Sequence, residues 1–148
     1  MISLKLPFLP TEDYPITQGF GANPAVYSKL GMPGHNGLDF GCPAETRLCA
    51  PADGVVINSE LHKSYGNIVK IKHNGGYFTL FAHMNKCLVK VGDAVKTGDL
   101  IGLSGMTGFS TGPHLHFGLQ SVKEGTKPYN YYIDPKPALS INDKAKKK

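Results

Sequence analysis

The chain has 148 residues, enough for one domain with a buried core, and its hydrophobic fraction of 41% is ordinary for a folded globular protein. Its formal net charge of +5 makes it a cation at neutral pH, with much of the excess in Lys144, Lys146, Lys147 and Lys148. No apolar run approaches the ~20 residues of a membrane-spanning helix, prolines at 7, 10 and 15 argue against an apolar secretory leader, and aromatic residues do not interleave with basic ones as nucleic-acid-binding surfaces require.

In chain order, residues 1–14 read as an irregular arm, residues 15–139 as one compact body, and residues 140–148 as a basic tail. The 18 glycines and 11 prolines lie between short apolar runs, which predicts many tight turns and short strands. Residues 23–30 supply at most a turn or two of helix. In His35-Asn36-Gly37-Leu38-Asp39 an extended segment places a histidine and a carboxylate, four apart, on one face. The three cysteines, Cys42, Cys49 and Cys87, form no C-x-x-C pair. They read as small buried apolar residues made in a reducing cytosol, with a Cys42–Cys49 bridge as the alternative. The turn Asp53-Gly54 leads into Val55-Val56-Ile57, and residues 68–72 form a strand. Asn74-Gly75-Gly76 is a hairpin turn whose positions accept positive φ. On the return strand, residues 77, 79, 81 and 83 share one face while Phe78, Leu80 and Ala82 pack into the core. Two turn-punctuated runs, 91–95 and 97–102, follow. A loop over 104–112 then delivers the strand His114-Leu115-His116-Phe117. The period is two throughout, so the fold class is all-β, mainly antiparallel, as a small sandwich or partly closed barrel with little helix.

The chemistry sits in the histidines. On a strand His114 and His116 project together while Leu115 and Phe117 face away. Two converging imidazoles and the His35/Asp39 pair make a candidate metal site. Nitrogen and carboxylate donors suit zinc, and three protein ligands leave the fourth tetrahedral position for water. His83 is a candidate acid/base group beside that water. His62, in a polar turn, and His73, beside the hairpin, read as structural. The constellation is that of a hydrolytic metal site. Neither G-x-S-x-G nor H-E-x-x-H is present, so serine nucleophiles of that type and the helical zinc proteases are excluded.

These segments resemble the lysostaphin-type (LytM-like) zinc endopeptidases that cut the peptide part of bacterial cell walls. The likeness runs in order through Ile16-Thr17-Gln18-Gly19-Phe20-Gly21, residues 35–41, 50–56, Tyr65-Gly66-Asn67, 79–84, 91–102 and 105–117 to Asp134-Pro135. The resemblance implies His35, Asp39 and His116 as ligands of one Zn2+ per chain, and His83 and His114 as catalytic histidines. It implies a sheet groove with the zinc on its floor and the loops at 27–34 and 106–112 as substrate-contacting walls. Phe81, often tyrosine in the family, would belong to the groove wall. The implied substrate is a peptidoglycan cross-link or stem peptide, with glycine bridges and D-alanine bonds both in range.

A chain that is nearly all catalytic domain, without a leader or a separate wall-binding module, looks like a monomeric phage lysin or tail-associated enzyme. It would be made in the cytosol and reach the wall on lysis or with the virion. The lysine tail would be drawn to anionic wall polymers. One rival reading is a zinc-retaining wall-binding or regulatory module without turnover. Another is a lipoyl- or biotin-carrier domain, which the turns at 91–99 resemble, but a carrier needs a lysine where this hairpin tip has Asn74-Gly75-Gly76.

Overall fold

The computed structural model describes residues 2–108 and 112–139, so the lysine tail lies outside the described residues. Ten strands form one sheet: β1 (Ile16–Gln18), β2 (Leu38–Phe40), β3 (Arg47–Cys49), β4 (Gly54–His62), β5 (Gly66–His73), β6 (Tyr77–Cys87), β7 (Ala94–Val95), β8 (Leu100–Ser104), β9 (Leu115–Ser121) and β10 (Tyr132–Ile133). The main path runs β1-β2-β9-β6-β5-β4-β7, with β10 on β9 and β8 joining β3 to β6. Every strand pairing is antiparallel. The α-helical content among the described residues is α1 (Pro24–Ser28). The expected mainly antiparallel all-β class with little helix is what the chain adopts.

Local chemistry explains the punctuation. Gly75 and Gly76 sit at φ 82° and 80°, so the β5–β6 hairpin turns where the sequence places glycine. The turn-punctuated runs at 91–95 and 97–102 each open with a turn of the form Lys-x-Gly-Asp, leading into β7 and β8. The backbone N–H groups of Lys90 and Lys96 donate to the carboxylates of Asp93 and Asp99, at 2.9 and 2.8 Å. Cys42, Cys49 and Cys87 are all free, the first two buried.

Residues directly opposite in an antiparallel pair share a face. Leu38 faces Phe117, Phe40 faces Leu115 and Phe81 faces Phe117, and all five side chains are buried in the larger of two apolar clusters. Leu4 and Phe8 of the N-terminal segment enter the same core, bridged to Leu139 and Leu48. Phe8 meets the Phe40 ring edge-on at 5.2 Å. The other face of the sheet carries Ile68, Leu80, Ala82 and Tyr132, a smaller cluster beneath Phe20, Tyr65 and Tyr129.

Strand β6 departs from the sequence reading. Tyr77 and Phe81 face the main core, while Leu80 and Ala82 face the smaller cluster. Flanked by β9 and β5, the strand is apolar on both sides, so alternation could not say which face was the main core. Phe81 is therefore a core residue, 0% exposed, and not part of a groove wall. Near its end the strand carries a bulge. Pairing with β5 jumps from Phe81–Val69 to Asn67–Met84, setting Ala82 and His83 against Ile68 alone. His83 adopts φ 58°, and its N–H donates to the Tyr65 carbonyl at 2.7 Å. The extra residue reverses the alternation: Met84 returns to the core with Phe81, and His83 turns to the face carrying Ala82.

Phe81→Ala is expected to cost ~3–5 kcal/mol, the range for emptying a phenylalanine site in a packed core. Val26→Ala, at a side chain 60% exposed, should stay within ~0.5 kcal/mol. Urea unfolding of both variants checks this, and a parental midpoint for Phe81→Ala would contradict the core placement.

Candidate metal centre

Register builds the centre. Asp39 stands opposite His116 across the β2–β9 pair, and Ala82 stands opposite His116 across β6–β9, so all three share the face away from the main core. Gly37 leads into β2 so close to His116 that a Cβ there would lie 3.0 Å from its Cε1 and nearer still to the Phe117 carbonyl. His35 lies outside the strand, contrary to the extended segment expected over 35–39. A loop places it instead: its N–H donates to Ala22 O at 2.9 Å and its carbonyl accepts from Gly21 N–H at 2.7 Å.

The result is a tight triangle of donors. His35 Nε2 to Asp39 Oδ1 is 3.2 Å, His35 Nε2 to His116 Nδ1 is 3.0 Å, and His116 Nδ1 to Asp39 Oδ1 is 3.1 Å. Three nitrogen and oxygen donors ~2.0–2.1 Å from a common tetrahedral centre stand about 3.3 Å apart, so the spacing fits zinc. The tautomer of His35 fits as well. Its Nδ1 faces the Gly19 carbonyl at 3.2 Å, and a carbonyl only accepts, so Nδ1 carries the proton and Nε2 keeps its lone pair. His35 and His116 are buried, and Asp39 is largely so.

Two more imidazoles stand beside the triangle. The His83 and His114 rings lie 4.8 Å apart, and His114 Nε2 is 3.7 Å from Asp39 Oδ1. Each hands its Nδ1 proton to a main-chain carbonyl: His83 to Thr107 O at 2.7 Å, His114 to Gly112 O at 3.0 Å. Both therefore keep the lone pair on Nε2. His114 immediately precedes β9 and is bridged to Gly105. Tyr65 stacks on His116, with centroids 5.6 Å apart and planes 25° from parallel, and its hydroxyl accepts from Asn36 Nδ2 at 2.9 Å.

Electrostatics favour a neutral His116 beside an ionised Asp39. Burial alone would raise the Asp39 carboxyl, but the His116 and His35 imidazoles packed against it outweigh that and hold the group well below the usual carboxylate range. Burial lowers the His116 imidazolium, an effect that Asp39 only partly offsets. Burial likewise lowers His83, to about 4.

All five residues singled out in the sequence thus meet at one place. His62 and His73 stand elsewhere. His62 Nδ1 accepts from the backbone N–H groups of Ser64 and Tyr65, and His73 spans Asp53 O and Thr79 Oγ1, both at 2.8 Å. A cleft of about 410 Å³ opens beside Asp39 and His114, also lined by Thr17, Gln18, Asn23, Gly41, Gly112 and Pro113. Thr17, Gln18, Asn23 and Gly41 were not foreseen as lining; the β1–β2 pairing sets Gln18 opposite Asp39 there.

Three groups that could hold a metal ion, two on the sheet and one on the loop before β2, beside a histidine pair, form an arrangement that suits a metallopeptidase. A family model described as peptidase family M23 matches residues 33–131, and the chain belongs to that family. Among its relatives, the peptidoglycan DD-endopeptidase ShyA of Vibrio cholerae is 48% identical over 85 residues, 57% of this chain and 20% of that protein. A zinc-containing peptidase from Vibrio cholerae superposes with a TM-score of 0.72 at 37% identity, covering 87% of this chain and 37% of that one. The catalytic domain of lysostaphin from Staphylococcus simulans gives 0.72 at 34% identity, covering 84% of this chain and 90% of that domain. The chain spans about a third or less of the length of the curated relatives it matches first.

If the triangle is the metal site, His116→Ala removes one of three donors and should abolish stoichiometric zinc binding, with a fall in thermal stability. His83→Ala and His114→Ala should keep the metal. Metal analysis of the three purified variants decides it, and loss of zinc from His114→Ala with retention by His116→Ala would reverse the assignment.

Proposed function

We propose that this chain is a zinc-dependent metalloendopeptidase that hydrolyses amide bonds in the peptide part of bacterial peptidoglycan. Three donors 3.0–3.2 Å apart, flanked by two imidazoles that each direct Nδ1 at a main-chain carbonyl, carry this reading. Residues 15–139 form the catalytic domain. His35, Asp39 and His116 hold one zinc ion per chain, through Nε2, Oδ1 and Nδ1. Zinc bound there supplies a Lewis acid that acidifies water and polarises the scissile carbonyl.

The remaining work belongs to the protein. His83 and His114 present Nε2 beside the donor triangle and divide the proton transfers between them. One accepts the proton of the attacking water, and the other, once protonated, stabilises the carbonyl oxygen or gives its proton to the leaving amine. Burial favours neutral His83 at pH 7, so no proton occupies its Nε2 when water is to be deprotonated. The cleft beside Asp39 and His114 offers small and polar groups, Thr17, Gln18, Asn23, Gly41 and Gly112, to a peptide whose residues near the cut bond are themselves small.

The cut bond is a D-alanine-containing cross-link. The relatives named as peptidoglycan DD-endopeptidases support this choice over a glycine bridge. The enzyme acts as a monomer on the wall, and the basic tail adds attraction to anionic wall polymers.

Mass spectrometry of fragments released from purified walls should show new ends at D-alanine cross-links. A chelator should abolish the release and added zinc restore it. Release by metal-free protein, or binding without any release, would favour a regulatory module instead. Removing residues 140–148 should weaken wall binding at low salt and matter little at high salt, where attraction beyond about 8–10 Å is screened. An equal loss on small soluble peptides would mean that the tail supports the fold.

A further inference from the structure

Thr107 lies in the loop after β8, between the two histidines flanking the donor triangle, and it is bonded on three sides. Its carbonyl takes the Nδ1 proton of His83 at 2.7 Å. Its hydroxyl donates to Met84 O at 2.6 Å and accepts the backbone N–H of Asn67 at 3.0 Å. Met84 follows His83 across the bulge, and Asn67 is the β5 residue paired with Met84. Asn67 closes the arrangement, since its Nδ2 also donates to Met84 O at 3.0 Å. The loop approaches so closely that a Cβ on Gly66 would overlap the Thr107 hydroxyl and carbonyl, and one on Gly108 would overlap Gly66 N.

The consequence falls on one atom of His83. A neutral imidazole has two tautomers of similar energy, and the hydrogen bond at one nitrogen selects between them. The Thr107 carbonyl can only accept, so it selects the Nδ1–H form and leaves the Nε2 lone pair facing the site. A carbonyl performs this only if its peptide is held still. Here the hydroxyl of the same residue holds it, using partners on the two strands that form the bulge.

We propose that Thr107 is a positioning residue for the reaction: its hydroxyl clamps its own peptide so that the carbonyl fixes the tautomer and aim of His83. The effect on turnover rests on the hydrolytic reading above; the effect on His83 does not.

The test uses the full, zinc-loaded chain with 15N-labelled histidine. Thr107→Val keeps the shape and removes the hydroxyl, and Thr107→Ser restores it. In the parent and in Thr107→Ser, long-range 1H–15N spectra should show His83 in the Nδ1–H form. In Thr107→Val they should show a mixture with the Nε2–H form. On soluble cross-linked muropeptides, Thr107→Val should lose roughly 10- to 100-fold in kcat, the scale for displaced catalytic and supporting groups. KM should stay within about twofold of the parent, Thr107→Ser should recover most of the rate, and zinc content should be equal in all three. The Nε2–H form in the parent would overturn the proposal without any variant. So would an unchanged His83 spectrum, or parental kcat, in Thr107→Val, and so would a loss shared equally by Thr107→Ser. If the parent cleaves no muropeptide, the hydrolytic reading fails, and the His83 spectra still decide whether Thr107 sets the tautomer.

Discussion

The pairing of β2 with β9, with Asp39 opposite His116, is the constraint on which the rest depends. The same register sends Leu38, Phe40, Leu115 and Phe117 into the main core. A slip of β2 by one residue would turn that strand over, burying the Asp39 carboxylate among phenylalanines and exposing Leu38 and Phe40, and a slip of β9 would do the same with His116, Leu115 and Phe117. Each of those side chains gains roughly 1.5–3 kcal/mol from burial. Together they fix the register far more firmly than any contact within the donor triangle could. The separation of 3.1 Å between Asp39 Oδ1 and His116 Nδ1 is thus a by-product of hydrophobic packing on the opposite face.

This is also why the centre was legible from sequence. An alternating strand announces which residues share a face, and His114-Leu115-His116-Phe117 separates imidazoles from core residues without reference to any partner. Turns built on glycine were equally plain: Gly75 and Gly76 take positive φ where the hairpin needs it. What escaped depends on long-range pairing. The two faces of β6 cannot be told apart locally, because a strand between β9 and β5 is buried on both sides, and Phe81 went to the core for that reason. His35 keeps an even spacing from Asp39 yet owes its position to two backbone bonds with the loop at Gly21 and Ala22. The spacing suggested the right pair of residues through the wrong local geometry.

The tautomers were illegible for a more general reason. Three of the four imidazoles at the centre hand Nδ1–H to main-chain carbonyls, those of Gly19, Thr107 and Gly112. Every residue has a carbonyl, so no side-chain pattern marks these three. Only the course of the loops puts them there. His116 is the exception: its Nδ1 points at Asp39 and His35, inside the triangle. A set that reads in sequence as equivalent histidines is therefore divided by the backbone, with Nδ1 bonded to a carbonyl on three rings and turned into the triangle on the fourth.

The bulge at His83 shows how backbone and side-chain demands compete. A non-glycine residue at positive φ costs of order 1–3 kcal/mol, and glycine would remove that cost. Glycine would also remove the imidazole. At Gly66, where φ is 68° and Thr107 packs against the backbone, nothing needs to be presented and glycine stands there. At His83 the chain must bend and display a ring at the same residue, so the strain is kept and opposed by bonds on both parts. The N–H of His83 donates to Tyr65 O, and its ring donates to Thr107 O, each at 2.7 Å. The same two bonds that hold the unfavourable backbone also aim Nε2, so relaxing the strand and misplacing the imidazole are a single event.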